Sequence, residues 1–130
     1  GLSLRCILMH DLNKILLVDD DPIFLTLAEL AIKKERNQVE IFKAMNGEEA
    51  ISFLKNQSVD IIFLDLNMPV MNGWEFLEVL PQIENWGKQV YVLTSSIDPS
   101  DQRKADENPL VTSMLEKPLD RDKISATLRG

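Results

Sequence analysis

Three consecutive carboxylates, Asp19, Asp20 and Asp21, follow the aliphatic run "KILLV" at 14–18, and a fourth, Asp65, lies in "DIIFLDL" at 60–66. Two like charges about 4 Å apart repel by roughly 4 kcal/mol at an effective dielectric of about 20, so a site that gathers such groups needs a cation or raised pKa values. Hard divalent ions answer that need. One or two carboxylates, with the other positions left to water and phosphate, is the Mg²⁺ pattern, and Mn²⁺ is the alternative ion. The single thiol and the single imidazole, Cys6 and His10, lie in the first dozen residues with no ligand cluster around them, so zinc is not favoured.

Two further reactive groups close aliphatic runs: Thr94, with Ser95, in "VLTSS", and Lys117 in "LEKP". A strand-end hydroxyl with backbone N–H groups can contact an anion, and an ammonium can pair with a carboxylate or phosphoryl oxygen. Carboxylate nucleophile, metal, hydroxyl and lysine together suit phosphoryl transfer. Taken singly, Thr94 is an ordinary strand-end hydroxyl and Lys117 an ordinary surface lysine. Their signal lies in joint placement.

That placement depends on the elements. From Lys14 the chain alternates short β-like runs (14–18, 39–44, 60–66, 89–96, 111–118) with helical patterns (22–35, 46–56, 74–85, 98–109, 120–129). Strict alternation is the signature of βαβ units around a parallel sheet, an α/β class. The uninterrupted aliphatics of the first, third and fourth strands are those of strands covered on both faces. In the first helix the spacing puts Phe24, Leu27, Ala28, Ala31 and Ile32 on one face, and Pro22 suits the first turn. Pro81 is expected to kink or end the third helix. The fourth, anchored only by Ala105, should be short and loosely held.

Periodicity does not fix the strand order. In open parallel sheets ligands bind beyond the carboxyl ends of the strands where the order reverses; for the order 2-1-3-4-5 that point lies between strands one and three. Under this order, both acidic strand ends meet in one crevice.

Composition bounds the remainder. A chain of 130 residues supports one domain, and its net charge of -7 with no strong Lys/Arg cluster argues against direct nucleic acid binding. No apolar run is long enough to span a bilayer. The lone cysteine reads as reducing-compartment usage, hence a cytoplasmic chain. Residues 1–13 read as a leader, disordered or foreign to the natural chain, with Met9 a candidate start, and 14–130 as the domain.

The motifs "LLVDDDP", "IIFLDLNMPVMNGWEF", "VLTSS" and "LEKPL", in this order, resemble the response-regulator receiver domain of two-component signalling, chemotaxis-type single-domain regulators included. The resemblance runs from about Lys14 to Arg129. It implies a flavodoxin-like (βα)5 doubly wound sheet of order 2-1-3-4-5 and a phosphorelay signalling domain that catalyses only its own phosphorylation and dephosphorylation. Position by position, Asp65 matches the phosphoacceptor, Asp20 the direct Mg²⁺ ligand, Asp19 the acid acting mainly through water, and the backbone carbonyl of Asn67 the third protein contact to the metal. Thr94 and Lys117 match the groups that contact the phosphoryl group, while Pro69 and Gly73 match residues shaping the loop after Asp65. The implied partners are a sensor histidine kinase or histidine phosphotransfer protein, and a downstream protein at the face of helix four, strand five and helix five.

Asp21 has no family role and reads as a helix-start acid. The family's switch aromatic, three residues before the lysine, is here Met114, a flexible thioether that can fill the space of a ring. That departure keeps open a second class, a binding module without phospho-switching. A third class, a Mg²⁺-dependent phosphatase with an aspartyl nucleophile, lacks its second acid because Asn67 stands there.

Overall fold

The computed structural model of the protein describes residues 14–129; the expectations for the leader, Met9, Cys6 and His10 lie outside the described residues. Strands β1 (Lys14–Val18), β3 (Ile61–Asp65) and β4 (Gln89–Thr94) are buried along nearly their whole length, which is why their aliphatics run on without alternation. The edge strands β2 (Glu40–Ala44) and β5 (Val111–Glu116) are only partly buried. Helices α1 (Pro22–Glu35), α2 (Gly47–Asn56), α3 (Gly73–Val79), α4 (Pro99–Glu107) and α5 (Arg121–Arg129) alternate with them. The sheet is wholly parallel in the order β2-β1-β3-β4-β5, the flavodoxin-like arrangement that the resemblance implies.

Alternation along each strand divides the core in two. Leu16, Val18, Ile62 and Leu64 pack with Ala50 and Leu54 of α2 and Phe76 and Leu77 of α3. Ile15, Leu17, Ile61 and Phe63 pack on the other side with Leu25, Ala28 and Ile32 of α1 and Ile124 and Leu128 of α5. Each fully buried aliphatic contributes about 1.5–3 kcal/mol, so the two layers pin the register of the central strands.

Register then positions the chemistry. Val18 pairs with Leu64, which brings Asp19 and Asp65 to the same level at the ends of adjacent strands. Leu93 pairs with Asp65, and Thr94 with Glu116, so Thr94 and Lys117 arrive at that same edge.

Helix starts are capped at this edge. Asp21 is the N-cap of α1, its Oδ1 accepting from the Ile23 N–H at 2.9 Å, with Pro22 as first helical residue. Asn72 and Glu75 form a reciprocal capping box at α3, and Asp98 caps α4. A side-chain cap of this kind is worth about 1 kcal/mol.

One expectation needs correction. The buried face of α1 carries Leu25, whereas Leu27 is 60% exposed, together with Ile23 and Leu30. Apolar residues occupy nearly all sides of this helix, so the periodicity admits more than one inward face. The third helix stops at Val79 and passes into a 3₁₀ turn at Leu80–Gln82, short of residue 85; it ends at Pro81 as expected, because that residue has no N–H to continue the α-helical ladder. The fourth helix is as short as expected, with Ala105 its buried residue. Among the described residues no helix is long and apolar enough to cross a membrane.

Candidate functional site

The crevice between the ends of β1 and β3 collects Asp19, Asp20 and Asp65, each offering one carboxylate oxygen within 4.8 Å of the others. Their surroundings differ. Asp19 is 1% exposed and has both oxygens occupied: Oδ1 accepts from the Asp21 N–H at 2.9 Å, Oδ2 from the Lys117 ammonium at 2.7 Å. Asp20 is exposed and makes no ion pair or side-chain hydrogen bond among the described residues. Asp65 is 4% exposed, accepts from the Asn67 N–H at 3.3 Å, and lies 3.5 Å from the Lys117 ammonium.

These contacts leave Asp65 short of compensation. Burial, then the charge of Asp19, raise its pKa from 3.8 to about 6; Lys117 and the Asn67 N–H pull it down and Asp20 adds a further push upward. Burial alone would lower the Lys117 ammonium, but its hydrogen bond and charge pairing with Asp19, followed by Asp65, outweigh this and raise it. One lysine therefore serves two acids, with a third acid beside them. Clustered oxygen donors, an undercompensated buried carboxylate and an open approach through Asp20 fit a hard divalent cation.

The loop after Asp65 is tightly built. The Gly73 N–H donates to the Leu66 carbonyl at 3.0 Å, and a Cβ at Gly73 would lie 2.8 Å from the Asp65 carbonyl oxygen. Only glycine lets α3 begin against the backbone of the acid. Between them the Met71 N–H donates to the Pro69 carbonyl at 2.8 Å, closing a γ-turn with Val70 at φ 71° and 73% exposed. A β-branched residue in that region stores about 1–3 kcal/mol of strain. Met71 fills the space over the Cα of Gly47 and so braces the turn against α2.

Thr94 is buried at the end of β4, and its hydroxyl is engaged within its own turn, donating to the Ser96 carbonyl at 2.9 Å. The Thr94 carbonyl accepts from the Lys117 N–H at 2.8 Å, tying the ends of β4 and β5 together. Asn67 presents its N–H to Asp65, and its side chain is exposed. Met114 is 8% exposed and packs in the same core layer as Ala105 of α4, beside a cleft of about 220 Å³ between β5 and α4.

Sequence reasoning missed one neighbour of the acids. The Lys117 ammonium lies over the Phe24 ring, 4.5 Å from its centroid. The available signal was an aromatic in the first turn of the helix that follows the acids.

Comparison with known proteins agrees with this geometry. Residues 15–129 match the response regulator receiver domain family. The nitrate/nitrite response regulator protein NarL of Escherichia coli (strain K12) is 37% identical over 82 residues, 63% of this chain and 38% of NarL. The transcriptional regulatory protein GlrR of the same strain is 33% identical over 113 residues, 87% of this chain and 24% of GlrR. The chain thus spans well under half the length of these curated relatives. Among solved structures, a two component response regulator from Cytophaga hutchinsonii superposes with a TM-score of 0.82 at 32% identity, covering 91% of this chain and 95% of that one. The chemotaxis protein CheY4 of Vibrio cholerae superposes with a TM-score of 0.80 at 25% identity, covering 91% of this chain and 97% of that one. With the family match covering the sheet, all five helices and the acidic crevice, the chain belongs to the response regulator receiver domain family of two-component systems.

Proposed function

We propose that the protein accepts a phosphoryl group on Asp65 from the phosphohistidine of a sensor histidine kinase or histidine phosphotransfer protein, and changes conformation in response. The observation that carries this reading is the undercompensated Asp65, buried beside Asp19 and Asp20 with one shared lysine. An Asp65 carboxylate oxygen attacks phosphorus, a P–O bond forms as the P–N bond breaks, and the electron pair leaves on the imidazole nitrogen. Asp20 and Asp65, with the Asn67 carbonyl, would hold Mg²⁺ directly, and Asp19 would act through water because its oxygens are already engaged. Bound there, the ion supplies positive charge against the three acids and the transferred group.

The product carries about -1.5 to -2 charge near neutral pH. Lys117 is already within 3.5 Å of Asp65 and can pair with it, while the Thr94 hydroxyl reaches a phosphoryl oxygen only by leaving the Ser96 carbonyl. That exchange gives two arrangements of the β4 end, which the Lys117 N–H bond couples to β5. The readout would be the face of α4, β5 and α5, offered to a downstream protein.

A protein donor needs surface as well as chemistry. Ile23, Leu27 and Leu30 form an exposed apolar stripe along α1, starting three residues after Asp20, and are the surface on which we place the donor. We assign the chain to the cytoplasm and to signalling rather than turnover.

Incubation with acetyl phosphate and Mg²⁺ should label the protein once, and chelation should prevent it. Absence of label from protein shown to bind Mg²⁺ would sink the reading in favour of a binding module that does not switch, the class that Met114 in the switch position keeps open.

A further inference from the structure

Lys117 leaves the edge strand β5, yet its ammonium must stand over acids at the ends of β1 and β3, on the far side of β4. A flexible four-carbon stem loses rotamer freedom when held in such a place. The two carboxylates attract it, at 2.7 Å and 3.5 Å, without fixing the side from which it approaches. A third contact does: the Phe24 ring lies 4.5 Å from the ammonium. Phe24, in the first turn of α1, is half-buried and packs against the core layer on that side of the sheet, so its ring is not free to follow the lysine.

We propose that Phe24 is a positioning residue for phosphoryl acceptance, holding the Lys117 ammonium over Asp19 and Asp65 through a cation–π contact; this rests on the reading of Asp65 as acceptor. The ring face attracts a cation within about 6 Å of its centroid, but it has no lone pair with which to compete for the ammonium protons. Lys117 can therefore exchange Asp19 Oδ2 for a phosphoryl oxygen on Asp65 while it stays over the ring. A carboxylate in Phe24's place would hold the ammonium back and add a further negative charge to the crevice. An aliphatic residue would fill the volume without the attraction.

The test uses the full chain with Phe24→Leu, Phe24→Tyr and Phe24→Trp. In ¹H–¹³C spectra the Lys117 Hε resonances, assigned by their loss in Lys117→Arg, should be displaced upfield by the ring in the wild type and the aromatic variants, and should return to ordinary lysine positions in Phe24→Leu. Phosphorylation by acetyl phosphate with Mg²⁺ should slow by about three- to tenfold in Phe24→Leu, the scale of one lost cation–π contact, and stay near the wild-type rate in the aromatic variants. Ordinary Lys117 resonances in the wild type would overturn the proposal. So would an unchanged rate in Phe24→Leu, or equal slowing in Phe24→Leu and Phe24→Tyr, which would show a purely structural role. A wild type that takes no label removes the function assigned to Phe24 by failure of the acceptor reading, and the resonances then show separately whether the contact exists.

Discussion

Replacing Asp65 by Asn should make the metal-free protein more stable at neutral pH, although it removes the group at the centre of the proposed chemistry. The folded-state pKa of about 6 against an ordinary 3.8 is a difference of about two units. At about 1.4 kcal/mol per unit, the ionised Asp65 costs the fold about 3 kcal/mol. Between pH 3.8 and about 6 the folded protein keeps a proton that the unfolded chain has released, so stability falls as pH rises through that window and levels off above it. The Asp65→Asn variant has no such loss, and its new amide oxygen can still accept from the Asn67 N–H that Asp65 now binds. Lys117 keeps its shorter bond to Asp19. The expected gain at pH 7.5 is about 2–3 kcal/mol, or about 10 °C in Tm for a domain of this size. Thermal and urea unfolding in EDTA at pH 7.5 and pH 4 would measure it, and most of the gap should close at the lower pH. Equal or lower stability of Asp65→Asn at pH 7.5, or a gap independent of pH, would refute the account of an undercompensated acid.

The other two acids should separate by burial: Asp20→Ala should lose Mg²⁺ affinity with little change in stability, whereas Asp19→Asn, which weakens a buried partner of Lys117, should also cost about 3 kcal/mol, read by calorimetric titration and denaturation. Gly73→Ala drives a methyl to 2.8 Å from the Asp65 carbonyl and should cost about 1–3 kcal/mol in urea unfolding while slowing labelling by acetyl phosphate. Leu27→Glu should leave labelling by acetyl phosphate unchanged and reduce transfer from a histidine phosphotransfer protein at least tenfold, since the residue is exposed on α1 in the surface proposed for a protein donor. Equal rates from both donors would remove α1 from the docking surface.

The sequence was most legible where one element carries the signal. Buried strands announce themselves as aliphatic runs, and Asp19, Asp65, Thr94 and Lys117 were placed by standing where such runs stop. Strand order was not legible from periodicity, because the pairing of Val18 with Leu64 is a long-range choice; the motif resemblance supplied it. The inward face of α1 was misread because Ile23, Leu25, Leu27 and Leu30 give that helix apolar residues on several sides. The break in α3 at Pro81 was legible from the proline, whereas the 3₁₀ turn that takes up Leu80–Gln82 has no marker besides it, so the apolar pattern ran on to residue 85. What no single element shows is a contact between elements: the Phe24 ring against Lys117 and Met71 against Gly47 depend on how segments far apart in the sequence meet.

The central claim is that Asp65 is the acid that takes the phosphoryl group, and reductive trapping tests it most directly. After treatment with acetyl phosphate and Mg²⁺, borohydride converts an aspartyl phosphate to homoserine, and peptide mass spectrometry locates the converted residue. Conversion at position 65 alone is the expected result; conversion at Asp19 or Asp20, or none in protein that binds Mg²⁺, would contradict the account.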